Sequence, residues 1–83
     1  MTNEERAVLL AAGEKELSYL KGAMERALRS GKFPLAWDYQ CRYDGATSML
    51  KELGLIDLED YQSRSRALFD RFMEVKYQET VKP

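Results

Sequence analysis

Among the side chains that commonly carry catalysis, histidine is absent from this sequence of 83 residues and cysteine occurs once. Histidine is the usual general base near neutral pH and the commonest metal ligand. A zinc site here would have to combine carboxylates with one thiol, and a di-iron helical site needs Glu-x-x-His pairs that the chain cannot supply. The sequence therefore predicts neither a metal nor a cofactor.

Carboxylates and one thiol remain as candidates for catalysis. Cys41 is the only cysteine. It is adjacent to Arg42, but adjacent residues on a helix point apart and no histidine could act as a base for the thiol. The carboxylates fall at predicted helix starts or four residues from a cation, the spacing of ordinary surface salt bridges. Neither a glycine-rich phosphate loop nor a Gly-x-Ser-x-Gly turn occurs. We therefore do not expect an enzyme.

Composition describes a single small helical domain over residues 1–83. The chain is 45% hydrophobic and 33% charged, which suits amphipathic helices with solvated outer faces. Its net charge of −1 provides no general basic field for nucleic acid or an anionic membrane. A single cysteine fits a reducing compartment, the amino terminus is too polar for a signal peptide, and no apolar run approaches the ~18 residues of a membrane span. We expect a cytoplasmic protein without a membrane segment.

Two short breaks divide the chain into helices. In the first, Gly31 is placed to end a helix and Pro34 to begin the next. In the second, which organises the rest of the chain, Gly54 supplies the positive φ that follows a helix end, and Asp57 can cap the next helix. Both connections are short, so consecutive helices should be antiparallel neighbours.

Apolar periodicity predicts helices at about residues 3–30, 35–53 and 58–77, followed by a frayed polar tail at 78–83. The predicted fold is all-α, an up-down-up antiparallel three-helix bundle with a long first helix. The core face of the first helix comprises Leu10, Leu17, Leu20, Met24, Ala27 and Leu28. That of the second comprises Leu35, Tyr39, Tyr43 (or Arg42), Ala46, Met49, Leu50 and Leu53. That of the third comprises Tyr61, Ser65 (or Arg64), Leu68, Phe69, Phe72 and Val75 (or Lys76).

The first helix should extend beyond its neighbours. Its roughly 28 residues span about 42 Å, whereas the roughly 20 residues of each other helix span about 30 Å. Val8, Leu9 and Leu10 lie in the projecting part, and burial of such side chains is worth ~1.5–3 kcal/mol each. We expect a two-fold dimer to cover them, with Gly13 allowing another helix to approach closely. The alternative is a helix that bends at Gly13, or begins later, so that this patch folds onto its own bundle.

Aromatic residues concentrate at the start of the second helix. Tyr39 and Tyr43 share one face and fit a core position. Trp37 lies roughly 100–200° away from that face, so it either packs beneath a loop or forms the centre of an interface, where Trp is favoured. Trp37 is therefore the best single candidate for contact with a partner.

Basic residues near the end of the first helix and along the third raise nucleic-acid binding as an alternative. Glu59 and Asp60 oppose it, since they occupy the first turn in which a helix-turn-helix protein places base-reading residues. Cations near helix carboxyl ends also have a dipole explanation. We expect a non-enzymatic interaction or regulatory module that self-associates. The alternative is a nucleic-acid-binding regulator whose contacts would be Arg26, Arg29, Lys32, Arg64 and Arg71.

Overall fold

Three helices form the whole of the described fold. The computed structural model describes residues 1–81, with side chains described for residues 1–78. Helix α1 spans Asn3–Arg29, α2 spans Phe33–Glu52 and α3 spans Leu58–Val81. They follow one another up, down and up, and α2 packs against both neighbours. The predicted all-α three-helix fold with a long first helix is confirmed.

The helix starts follow from local capping. The Thr2 hydroxyl accepts a hydrogen bond from the Glu5 N–H at 3.1 Å, which satisfies one of the free donors at the start of α1. The Asp57 carboxylate does the same for the Asp60 N–H at 2.7 Å before α3. Pro34 lies in the first turn of α2, where its missing N–H costs nothing.

Glycine ends the first two helices. Gly31 has φ +70° and Gly54 has φ +72°, a left-handed conformation that only glycine adopts readily. Each turn is closed by a backbone bond typical of glycine-terminated helices, from the Lys32 N–H to the Ala27 carbonyl and from the Leu55 N–H to the Leu50 carbonyl, both 2.9 Å. These turns reverse the chain within a few residues.

The core lies mainly between α1 and α2, because α3 packs on α2 over a shorter length and touches α1 at few points. The bundle is consequently elongated and flat, with principal extents of 56 × 21 × 13 Å. The predicted face of α1 is confirmed at five of its positions. The buried apolar residues of α1 are Leu17, Leu20, Ala23, Met24, Ala27 and Leu28.

The buried face of α2 agrees with the prediction at Tyr43 and Leu50 and differs from it elsewhere. It consists of Ala36, Gln40, Tyr43, Thr47 and Leu50. The predicted core positions Leu35, Met49 and Leu53 are 42%, 59% and 47% exposed. The physical reason is that α2 is the middle helix, so the side it buries must lie between its two neighbours. Side chains of mixed size, from Ala36 to Tyr43, occupy that side, and an apolar row is left outside.

Two differences concern α3. Phe69, a predicted core residue, is exposed, whereas Leu68 and Phe72 are buried as predicted. The helix also continues to Val81 and not only to about residue 77, so residues 78–81 are helical where a frayed tail was predicted. The sequence at 78–81 has neither glycine nor proline, so nothing there stops the helix. Residues 82 and 83 lie outside the described part.

Candidate interaction surfaces

The three residues of the predicted apolar patch near the amino-terminal end of α1 differ in their exposure. Val8 and Leu9 are exposed, by 68% and 42%. Leu10 is partly buried and packs against the core, which differs from the prediction that all three project. A rotation of 100° per residue explains the split, since three consecutive side chains cannot share one face. Arg6 also donates a hydrogen bond to the Gly54 carbonyl, so the α2–α3 turn holds this end of α1.

Gly13 lies within an unbroken α1, and its bare face is filled by the side chain of Leu50 from α2. The close helix approach that the sequence predicts at Gly13 is therefore made by the chain's own second helix. A bend at this position is not observed. Gly13 consequently positions α2 and is covered by it, so the exposed part of the candidate interface at this end is Val8 and Leu9.

Trp37 belongs to an exposed apolar surface formed with α3. We call Trp37, Phe69 and Met73 the aromatic surface; they are 45%, 41% and 44% exposed. The Trp37 ring lies edge-on to Phe69 and Phe72, with centroid distances of 6.3 and 5.2 Å. Phe72 is buried and also meets Phe33 edge-to-face at 6.3 Å. A depression of about 480 Å³ opens between these rings.

Phe69 and Met73 are the members of this surface that sequence reasoning did not identify as exposed. Their spacing of four residues places them on one side of α3. Leu68 and Phe69 are adjacent and differ by 100°, so only one of them can be central to the core. That pattern is a signal for two apolar sides on α3, although it does not say which side faces inward.

The candidate nucleic-acid contacts do not form one free basic face. Arg64 pairs with Glu14 at 2.7 Å and with Asp60 at 2.8 Å. Arg71 binds both oxygens of Glu25 through Nε at 3.1 Å, and Arg29 lies 3.9 Å from the same carboxylate. These three cations line the groove between α1 and α3. Arg26 and Lys32 lie elsewhere, beside a depression between α1 and α2.

Ion pairs across the groove hold α3 to α1. The hydrogen bonds from Arg71 lower the pKa of the Glu25 carboxyl. Hydrogen bonds to Glu14 and Asp60 raise the pKa of Arg64. Tyr43 forms part of the same groove, and burial raises the pKa of its hydroxyl. Arg64 and Arg71 thus each pair with a carboxylate of α1, and these pairs are suited to joining the two helices.

No group of three or more potential metal ligands occurs in the described residues, and Cys41 is exposed. Within the same residues, none of the helices is long and apolar enough to cross a membrane. Comparisons with protein-family models, curated proteins and solved structures found no match. The exposed surfaces are therefore the features of the molecule that bear on its function.

Proposed function

We propose that this chain is a non-enzymatic, cytoplasmic protein-interaction module that also self-associates. The observation that carries the proposal is the aromatic surface of Trp37, Phe69 and Met73. Single exposed apolar residues are ordinary on proteins, whereas contiguous ones mark binding sites. Three large side chains that line one depression, each more than 40% exposed, form such a contiguous site.

The aromatic surface has the properties of an interface centre. Trp, Phe and Met are enriched there, and Trp is among the residues that contribute most to binding. The edge contacts of Trp37 with Phe69 and Phe72 hold its ring in place before a partner arrives. A partner would therefore pay little ordering entropy to use this surface.

Self-association is supported by the other end of the molecule. Val8 and Leu9 are exposed on the projecting end of α1, next to Glu4 and Glu5. Their burial against a second copy would remove apolar surface that the bundle itself leaves uncovered. Binding of nucleic acid receives less support, because Arg29, Arg64 and Arg71 already pair with carboxylates.

The test uses the variant Val8→Glu, Leu9→Glu and its solution mass by light scattering. The matched control is Ala11→Glu, Ser18→Glu, which adds the same charge at exposed positions of the same helix. We expect wild type and control to form dimers at concentrations at which the first variant is a monomer, with circular dichroism unchanged. Retention of the wild-type mass by the first variant would contradict self-association through this end.

A separate binding measurement distinguishes the alternative. Labelled duplex DNA and single-stranded RNA are titrated with the protein at low salt, and fluorescence anisotropy is recorded. The interaction-module proposal predicts no saturable rise. Binding with an affinity that falls steeply with salt would support the nucleic-acid alternative instead.

A further inference from the structure

Several large apolar side chains that the core leaves exposed lie on one side of the hairpin formed by the first two helices. Leu35 and Leu53 are 18 residues apart, five helical turns, so they point in the same direction, and Met49 lies within about 40° of them. On α1 the same spacing relates Leu9 to Ala27, with Ala23 within about 40°. Ala23, Ala27 and Leu35 border one depression, so the two rows lie on the same side of the hairpin. We call this side the outer face; its exposed residues are Leu9, Leu35, Met49 and Leu53, and the buried residues Ala23 and Ala27 line the depression beside Leu35.

The two ends of the outer face differ in shape. Because α1 and α2 are antiparallel, Leu9 lies at the same end as Met49 and Leu53, and these large side chains are exposed there. At the opposite end, Ala23 and Ala27 leave a depression of about 180 Å³ beside Leu35. One end therefore projects, and the other is recessed.

The two ends also differ in charge. Glu5 lies beside Leu9 at the projecting end. Arg26 and Lys32 border the recessed end. The acidic end thus carries the large apolar side chains, and the basic end carries the small ones.

We infer that the outer face binds the outer face of a second copy, in antiparallel orientation about a two-fold axis. This inference rests on the self-association proposed above and specifies its geometry. The two-fold rotation places each projecting acidic end on the recessed basic end of the other copy. The two-fold axis creates two equivalent contacts, and in each of them both shape and charge are complementary. The contact closes as a dimer. A parallel arrangement would place like charges and like shapes together.

The size of the outer face fits a concentration-dependent dimer. A face about 30 Å long across two helices about 10 Å apart covers roughly 600 Å² per copy, or roughly 1,200 Å² for the pair. That is the lower limit for a specific stable interface. The middle of the face carries Glu16 and the Asp38–Arg42 pair, so the apolar contacts are confined to the two ends.

Charge reversal tests the antiparallel arrangement. Glu5→Arg and Arg26→Glu are made singly and together, and the dimer dissociation constant is measured by light scattering or sedimentation. We expect each single change to weaken the dimer at least fivefold, and the double variant to recover to within about threefold of wild type. Glu4→Arg is the control, since it removes a neighbouring first-turn acid that points about 100° further from the outer face.

The outcomes separate this inference from the function on which it rests. A wild type that is monomeric at every concentration contradicts self-association itself. The wild type could instead dimerise while the double charge variant shows no recovery, its dimer being weakened by the full effects of both single changes. That result overturns only the outer-face arrangement. Val8→Glu and Leu9→Glu, made as single variants, also test the outer-face arrangement separately from self-association. Val8 is the more exposed of the two residues, yet it lies off the outer face. The Leu9 change should therefore weaken the dimer more than the Val8 change.

A second measurement requires no change of charge. Cys41 is first replaced by serine. Leu35→Cys and Leu53→Cys are then introduced separately into this background, and the two proteins are mixed under mild oxidation. The antiparallel arrangement brings residue 35 of one copy near residue 53 of the other, so the mixed disulfide should form faster than either homodimeric one. Equal rates for all three disulfides would overturn the arrangement.

Discussion

Leu50 of α2 packs directly against the bare backbone of Gly13 in α1. A Cβ atom at residue 13 would lie 2.6 Å from Leu50 Cδ2 and 3.1 Å from Cδ1, closer than side chains tolerate. Leu50 is buried, so its movement would disturb the core. This contact brings α1 and α2 close together near the amino-terminal end of α1.

Replacement of Gly13 by alanine should lower the free energy of unfolding by about 1–3 kcal/mol, because overpacking exceeds the gain in helix propensity. Gly45→Ala is the matched control. No atom lies within 4 Å of a Cβ at residue 45, so this change should raise stability by about 0.5–1 kcal/mol. Urea unfolding measures both. Equal stabilisation by the two changes would contradict close contact at Gly13.

The Glu25–Arg71 ion pair predicts a pH dependence of stability. Hydrogen bonds from Arg71 lower the pKa of Glu25 below its ordinary value of 4.5. A lowered folded-state pKa stabilises the fold fully above about pH 4.5, and this contribution is lost as the pH falls through the folded-state value. Wild type should therefore exceed Glu25→Gln in stability at pH 7, and the difference should shrink below pH 4.5. Thermal unfolding across that range checks this, with Glu16→Gln at an exposed position as control.

Two aromatic residues on α3 should differ in their effect on stability. Phe72→Ala removes a buried ring that contacts both Phe33 and Trp37, and it should cost about 3–5 kcal/mol. Phe69→Ala removes a ring that is 41% exposed, and it should cost less than about 2 kcal/mol. Urea unfolding followed by emission from Trp37, the only tryptophan, measures both. Equal losses would indicate that Phe69 is as buried as Phe72.

Gln40 is a buried polar residue whose Oε1 has no hydrogen-bond partner in the described part of the chain. An unsatisfied buried acceptor costs about 1–3 kcal/mol. Gln40→Met keeps the side-chain length and removes the polar group, so it should raise stability by about 1 kcal/mol. Gln62→Met at an exposed position should leave stability nearly unchanged. A loss of stability on Gln40→Met would show that the amide is satisfied.

Local features of this fold were predictable from the sequence, because they depend on neighbouring residues alone. The caps at Thr2 and Asp57 and the turns at Gly31 and Gly54 lie where capping chemistry and positive φ require them. The α1 core face also follows, since its apolar stripe is continuous.

Features that depend on how helices meet were not predictable. Leu35 and Leu53 have the spacing of core residues, and only the packing of α1 and α3 on opposite sides of α2 leaves them exposed. The Glu25–Arg71 pair joins residues 46 apart, so its spacing carries no local signal. Trp37 was identified as an off-stripe residue, but its partner Phe69 depended on the rotation of α3.

The most direct test of the central claim is the solution mass of the wild-type chain over a hundredfold range of concentration. We predict a mass that rises from the monomer value of 9.6 kDa toward twice that value. We also predict unchanged Trp37 emission, because the aromatic surface lies away from the outer face. A mass of 9.6 kDa at every concentration would contradict self-association and leave the aromatic surface as the remaining candidate interface.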